Sequence, residues 1–441
     1  MKKISFPAEI RIFTTLLPLL LFEVTLMMTA CSSNDDVLDS ATTGAGKITR
    51  TDAQAKTVLV YMAGRNSLSN IVDVDLNEMK RGSKHLGNDD NLLVFVRRYD
   101  KTEQPWLARI KDGEVIDTVS LDGMGIRSSD GQDCASDPAV MEGVMRYAFN
   151  HYPAKNGYYG LVLWGHGSGW LMMDEVEPNR SRAFGLDDGS NANSQDERWI
   201  NIPTLANILK GMPHLKYIMC DCCNMMCLEN LYELRTVCDY VIGSPAEIPG
   251  QGAPYDQIVP DLFGDGHFYS RLIDKYYASV NGNLPLTAVQ TSEMEHVAQA
   301  TRQALQAMDP AGGFDAGAYP DMTGLIHYYH TDARTYTDAA VSFFPEYNIF
   351  YDAGDFFLKH APQEVYRQWK QALDKAIVER RNATTWETDK VWQHKYADFT
   401  VTDKKMHGVS IFVPQDPAKG NYAKYNEDIR QMEWYKAVTF I

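Results

Sequence analysis

The sequence predicts an α/β protein, with a mostly parallel sheet flanked by helices on both faces. Three observations predict it. Short apolar runs end at glycine or a polar turn, as in "TVLVYMAG" (57–64), "NLLVFVRR" (91–98) and "LKYIMCD" (215–221). Stretches with helical spacing lie between them, the alternation expected of strand–helix–strand units. Hydrophobic residues make up 44% of the 441 and charged residues 23%, which allows a sizeable core.

The first thirty residues stand apart from this pattern. Lys2, Lys3 and Arg11 precede the apolar run "IFTTLLPLLLFEVTLMMTA", the layout of a secretory signal. Met28-Thr29-Ala30-Cys31 resembles a bacterial lipobox, which implies lipidation at Cys31 and membrane attachment through that lipid. Glu23 interrupts the apolar run, and Met28 stands where Leu is commoner. An ordinary cleaved signal and a retained membrane helix are the alternatives. "SSNDD" after Cys31 resembles the acidic tract of surface lipoproteins, so the expectation is an exported outer-membrane lipoprotein, with exposure at the cell surface. Residues 1–31 read as the signal and 32–55, polar and rich in small residues, as a flexible tether.

Residues 56–300 carry the alternating pattern. After the first strand, "SNIVDVDLNEMKRG" has helical spacing, with Ile71, Val74 and Met79 near one face and Gly82 at its end. The second strand is "NLLVFVRR". "WLARIKDGEVIDTVSL" reads as a hairpin turning at Asp112-Gly113. "DPAVMEGVMRYAFNHY" is a helix with Pro138 at its start. "YYGLVLWGHGSGW" is a strand ending in a glycine-rich loop, and "IPTLANILKGM" is helical. The strand "LKYIMCD", a helix through "LENLYELRTV" and the strand "DYVIGSPAE" follow. "SRLIDKYYASV" and "SEMEHVAQATRQALQAM" are helices around the strand "PLTAVQ". Residues 301–441 form a helix-rich C-terminal region, with one late buried strand in "HGVSIFVP".

Ligands of such sheets gather beyond the carboxyl ends of the strands. His166 stands there, one glycine past the apolar residues of its strand and between Gly165 and Gly167. Glycine neighbours leave the imidazole little to pack against, and the Gly167 N–H is free to face a developing oxyanion. A satisfied surface or core histidine is the alternative.

Four of the seven cysteines crowd "YIMCDCCNMMCLE" (217–229). Alternation along the strand sets Asp221 and Cys223 on one side and Cys220 and Cys222 on the other. Cys223 falls where the strand gives way to a helix, whose N-terminal N–H groups lower a thiol's pKa. A thiolate there, with His166 as partner, would be a nucleophile. The spacing C-x-C-C-x3-C does not match the C-x2-C pairs of zinc sites. A structural disulfide remains open, and Cys222 and Cys227 also read as small core residues. Cys134 and Cys238 carry no signal.

Taken together, these segments resemble the clostripain-like cysteine peptidases, whose catalytic domain is similar to that of caspases and gingipains. "TVLVYMAG" resembles the family's opening strand. "LVLWGHGSGW" resembles its histidine motif. "DCCNMMCLE" resembles D-A-C-L-M-x-x-x-E, with Asp221, Cys223, Met225 and Glu229 in register. "DYVIGSPAEIPGQGAPYD" resembles the strand and loop that follow. The resemblance implies a caspase-like sheet with His166 and Cys223 as the catalytic pair and no third catalytic group. It also implies Asp221 as an acid lining the pocket for a basic side chain, Arg before Lys. Glu247 is a second acidic candidate there, or else a hydrogen-bonded loop residue. Gly167 and Cys223 supply the oxyanion N–H groups. Family members often cut themselves between the two motifs; Arg180 and Arg182 offer basic sites in "DEVEPNRSRAFGLDDGS", unless that loop stays whole. Two stretches depart from the pattern: "GRNSL" has Arg65 where an acid is usual, and "GQGAPYD" lacks an aromatic before Tyr255.

The net charge is −16, with no Lys/Arg stripe, so protein or peptide substrates with basic residues are the expected partners and nucleic acid is not. No D-x-D-x-D-G loop occurs, and neither cofactor nor obligatory metal is expected. The reading of a different class is a surface lipoprotein that keeps the fold and binds peptides or nutrients without catalysis.

Overall fold

The computed structural model describes residues 55–99, 104–129, 131–172, 183–189, 197–309, 319–328, 349–383, 386, 404–419 and 421–439. Cys31, Arg180 and Arg182 lie outside the described residues.

The sheet is built around β1 (Thr57–Gly64), every residue of which is buried. Helix α1 (Val72–Ser83) crosses to β2 (Asn91–Arg98), which lies parallel to β1 from Thr57↔Asn91 to Gly64↔Arg98. The hairpin β3 (Trp106–Lys111) and β4 (Glu114–Ser120) continues outward antiparallel. Its turn residues Asp112 and Gly113 both have positive φ, 51° and 89°, as the Asp-Gly pair predicts. After the short α2 (Leu121–Met124), α3 (Pro138–His151) starts at Asp137, whose carboxylate accepts from the N–H groups of Ala139 and Val140.

The chain then returns to the other side of β1. β5 (Tyr159–Gly165) pairs with β1 in parallel, β8 (Leu215–Asp221) with β5, and β9 (Cys238–Gly243) with β8. A small hairpin, β6 (Phe184–Asp187) and β7 (Arg198–Ile200), and α4 (Ile202–Lys210) intervene. α5 (Leu228–Glu233) leads to β9, and α6 (Tyr255–Leu262) and α7 (Phe268–Ser279) lead to β10 (Leu286–Gln290), antiparallel to β9. α8 (Met294–Met308) follows. β11 (Tyr351–Asp352), α9 (Ala353–His360) and α10 (Gln363–Ala376) come next.

Two strands of the C-terminal region differ from expectation. β12 (Ile377–Arg381) completes a nine-stranded sheet by pairing with β10. The strand expected in "HGVSIFVP" is β13 (Ser410–Ile411), and it pairs with β11. Helices α11 (Tyr422–Asp428) and α12 (Glu433–Val438) close the fold.

Both faces of the sheet are covered, which is why its central strands read as continuous apolar runs. Leu59, Tyr61 and Ala63 face a layer with α3, α4, α5 and α8. Val58, Val60 and Met62 face α1, α6 and α7. The first layer continues into the C-terminal region through Trp369, Phe412 and Trp434. In α1 the buried stripe is Val72, Asp75, Leu76 and Met79, while Val74, expected inside, is exposed.

Candidate active site

His166 and Cys223 follow the ends of two adjacent parallel strands, β5 and β8. Gly165 closes β5 with φ 143°, and a Cβ on it would lie 2.8 Å from the Ala63 carbonyl oxygen, so only glycine fits. A Cβ on Gly167 would lie 2.9 Å from Cys223 O and 3.2 Å from Cys223 N. The two loop backbones therefore abut. The histidine loop is tied further to β6: Gly185 N donates to His166 O at 2.9 Å, and Ser168 N to Ala183 O at 2.8 Å. His166 Nε2 lies 2.8 Å from Ser67 Oγ. Ser67, in "GRNSL" beyond β1, was not singled out in the sequence.

The segment after Cys223 is not a helix start. Asn224 turns the chain with φ 60°, and α5 begins only at Leu228. Asn224 N donates to Ala246 O at 3.0 Å and Met226 N to Ser244 O at 3.1 Å, so the loop after β9 clamps the turn. The same loop reaches the sulfur: Ile248 N donates to Cys223 Sγ at 3.2 Å. Burial first, then the nearby Glu247 and Asp221 carboxylates, push the Cys223 thiol up to about 12, against the pull of the Ile248 N–H. The expected lowering by a helix N-terminus is thus absent, and the resting group is a thiol.

Alternation places the other cysteines as expected. Cys220, Cys222 and Cys227 are buried and free in the first core layer. The disulfide alternative fails for this stretch. Among the described residues, no three His, Cys, Asp or Glu side chains converge to hold a metal ion.

Asp221 points to the opposite face, 4% exposed. Its carboxylate accepts from Tyr255 Oη and Tyr276 Oη, both at 2.8 Å, and from Ala253 N at 3.2 Å. Burial raises its pKa, and the three donors oppose that. The loop carrying Ile248 and Ala253 therefore covers the thiol and this carboxylate together. Glu247 sits half-buried in that loop.

The C-terminal region meets the site from the far side. Ser410 N donates to Met226 O at 2.9 Å, and Phe412 N to Glu229 Oε1 at 2.7 Å. The Phe412 ring lies 4.6 Å from that of Trp170, at the end of the histidine loop.

This geometry has relatives. The model of the clostripain peptidase family matches residues 60–440. The chain belongs to the clostripain family. It is a cysteine peptidase with the caspase-like architecture of that family. A secreted C11 cysteine protease from Bacteroides thetaiotaomicron, solved in complex with an irreversible peptide inhibitor, is similar over 87% of this chain and 98% of its own, at 28% identity and a TM-score of 0.66. An inactive zymogen C11 protease from Parabacteroides distasonis is similar over 88% and 99%, at 27% identity and a TM-score of 0.67. A further secreted C11 protease from B. thetaiotaomicron, at 19% identity and a TM-score of 0.60, shares the fold. No curated protein sequence matches. Among the described residues, no helix is long and apolar enough to cross a membrane.

Proposed function

We propose that this clostripain-family peptidase cuts peptide bonds after basic residues, with Cys223 as nucleophile and His166 as its acid–base partner. The contact between the Gly167 and Cys223 backbones supports this reading most directly, because it sets the two loops within reach of one scissile bond. A thiol held near 12 is not a preformed thiolate, so the proton leaves as the sulfur attacks. A rotation of His166 that trades Ser67 for the thiol lets Nε2 take that proton. Sulfur bonds to the carbonyl carbon, and the N–H groups of Gly167 and Cys223 receive the oxyanion. The protonated imidazole gives its proton to the leaving amine as the C–N bond breaks. Water, deprotonated by His166, then hydrolyses the thioester and returns the thiol.

Acidic groups near the cleft support the basic preference. The Asp221 and Glu247 carboxylates both act on the sulfur, and a carboxylate in a cleft pairs well with a guanidinium. The peptide inhibitor bound by the Bacteroides relative supports a peptide substrate here. Self-cleavage after Arg180 or Arg182 belongs to the same proposal: the chain re-enters the described structure at Ala183, whose carbonyl is bonded to Ser168, two residues past His166. Export with a lipid on Cys31 completes the reading, in line with the secreted relative.

Cleavage of a peptide library by the purified protein, with Cys223→Ala alongside, tests this. The expected result is cutting after Arg and Lys, and cuts near Arg180 or Arg182, in the wild type alone. Hydrolysis retained by pure Cys223→Ala protein would remove Cys223 from its role.

A further inference from the structure

Near Asp221 lies a second buried acid that the reaction described above does not use. Asp75, on α1, is fully buried. Its Oδ2 accepts from Trp164 Nε1 at 2.6 Å, and its Oδ1 has no partner among the described residues. Trp164 is paired in register with Asp221 across β5 and β8. Residues paired this way send their side chains from the same face of the sheet. Asp75 is thus joined, through one indole, to the neighbour of Asp221, in the layer of α1, α6 and α7.

The groups facing Asp75 leave its negative charge uncompensated. They are Trp164 of β5, Asp221 of β8, Glu78 of its own helix, Tyr255 of α6 and Tyr276 of α7. Arg98 of β2 pairs instead with the exposed Asp73 on the outer side of α1. Arg81 lies near Glu78 and Asp256 at the surface. No basic side chain forms an ion pair with Asp75 or Asp221 among the described residues. A pair of buried carboxylates without a cation is costly, and retaining it has a use if the cation comes from outside. A simple acidic cluster would have its oxygens satisfied; here Asp75 Oδ1 is buried without a hydrogen-bond partner.

We propose that Asp75 is a specificity residue that, together with Asp221, forms a two-carboxylate receptor for the cationic side chain of the substrate. This rests on the reading that the enzyme cuts after basic residues. The side chain enters beneath the loop that carries Gly252 and Ala253. Asp221 is 4% exposed and Asp75 fully buried, so the Tyr255 and Tyr276 hydroxyls that bond Asp221 must give way before the cation reaches Asp75 Oδ1 behind it. A guanidinium, with five donors in a planar fork, spans two carboxylates on separate elements; an ammonium is a point charge that engages them less completely.

The test compares kcat/KM on three peptides that differ only in the residue before the cut: arginine, lysine and citrulline. Citrulline keeps the shape of arginine and lacks its charge. At about pH 9, where the Asp75 carboxyl is ionised, Asp75→Asn keeps an oxygen to accept from Trp164 and removes the charge. The arginyl-to-citrullyl ratio is expected to fall about 10- to 100-fold. Partial unfolding lowers both rates by one factor, so the ratio reads the pocket, whereas a merely structural Asp75 would shift the melting curve and leave the ratio alone. An arginyl-to-citrullyl ratio equal to that of the wild type overturns the proposal while leaving the basic-residue reading intact. A wild type that treats arginyl, lysyl and citrullyl peptides alike overturns both.

A second measurement needs no variant. Burial first, then Asp221, raises the Asp75 carboxyl to about 8, so it is protonated below that pH and ionised above. In the wild type the arginyl-to-citrullyl ratio therefore rises between about pH 6 and about pH 9. A ratio flat across that range also overturns the assignment.

Discussion

Glu229 ties the segment that follows β8 to the C-terminal strand, and its titration predicts how stability changes with pH. Its side chain is fully buried, with Oε1 accepting from Phe412 N at 2.7 Å. Burial raises its pKa from 4.5 to about 7, opposed by the Phe412 N–H. An acid whose folded pKa exceeds its unfolded value destabilises the fold once ionised. The penalty is absent below the unfolded value, grows as pH rises from 4.5 towards 7, and is constant above. A shift of this size corresponds to about 3 kcal/mol, taking roughly 1.4 kcal/mol per pKa unit. Glu229→Gln keeps an oxygen for Phe412 and cannot ionise. Any fixed effect of its new amide is the same at every pH and cancels in the comparison. Urea unfolding of Cys223→Ala protein, with and without Glu229→Gln, over about pH 4 to about pH 8, reads the difference. The Gln protein should gain about 3 kcal/mol relative to its parent between the two ends of that range. A difference that does not change with pH would refute the claim that Glu229 carries this buried ionisation.

Two further outcomes follow from the loops. Gly167→Ala places a methyl 2.9 Å from Cys223 O and 3.0 Å from Cys222 Cβ, so the strand tips must part. It should cost about 1–3 kcal/mol in stability and lower kcat by more than it alters KM, measured by thermal unfolding and peptide hydrolysis. The thiol held at about 12 predicts that alkylation of free Cys223 by iodoacetamide is slow at neutral pH and keeps rising to about pH 10 without a plateau, read by mass spectrometry. A plateau near neutrality would mean that the resting sulfur is already ionised.

The strands were legible because burial on both faces wrote continuous apolar runs into β1, β2, β5 and β8. The β3–β4 turn was legible from Asp112-Gly113, whose backbone demands positive φ. β12 was not: "IVERR" is a half-buried, charged edge strand, and only its partner β10 makes it extended. At the site, the glycines framing His166 and the alternation around Cys223 could be read locally. The Ser67 contact spans 99 residues of sequence, and no local pattern announces it. The thiol's raised pKa escaped for a related reason, since the Asn224 turn intervenes before α5 begins and Glu247 arrives from a loop beyond β9. Asp75 had a signal: an acid within the stripe Val72, Leu76 and Met79, where helical spacing calls for an apolar residue.

The bond from Phe412 to Glu229 joins residues separated by 183 positions. During synthesis, the turn that holds the sulfur therefore waits for almost the entire remainder of the polypeptide before its brace arrives. A nascent chain thus carries Cys223 long before it carries the strand that braces the turn beside it.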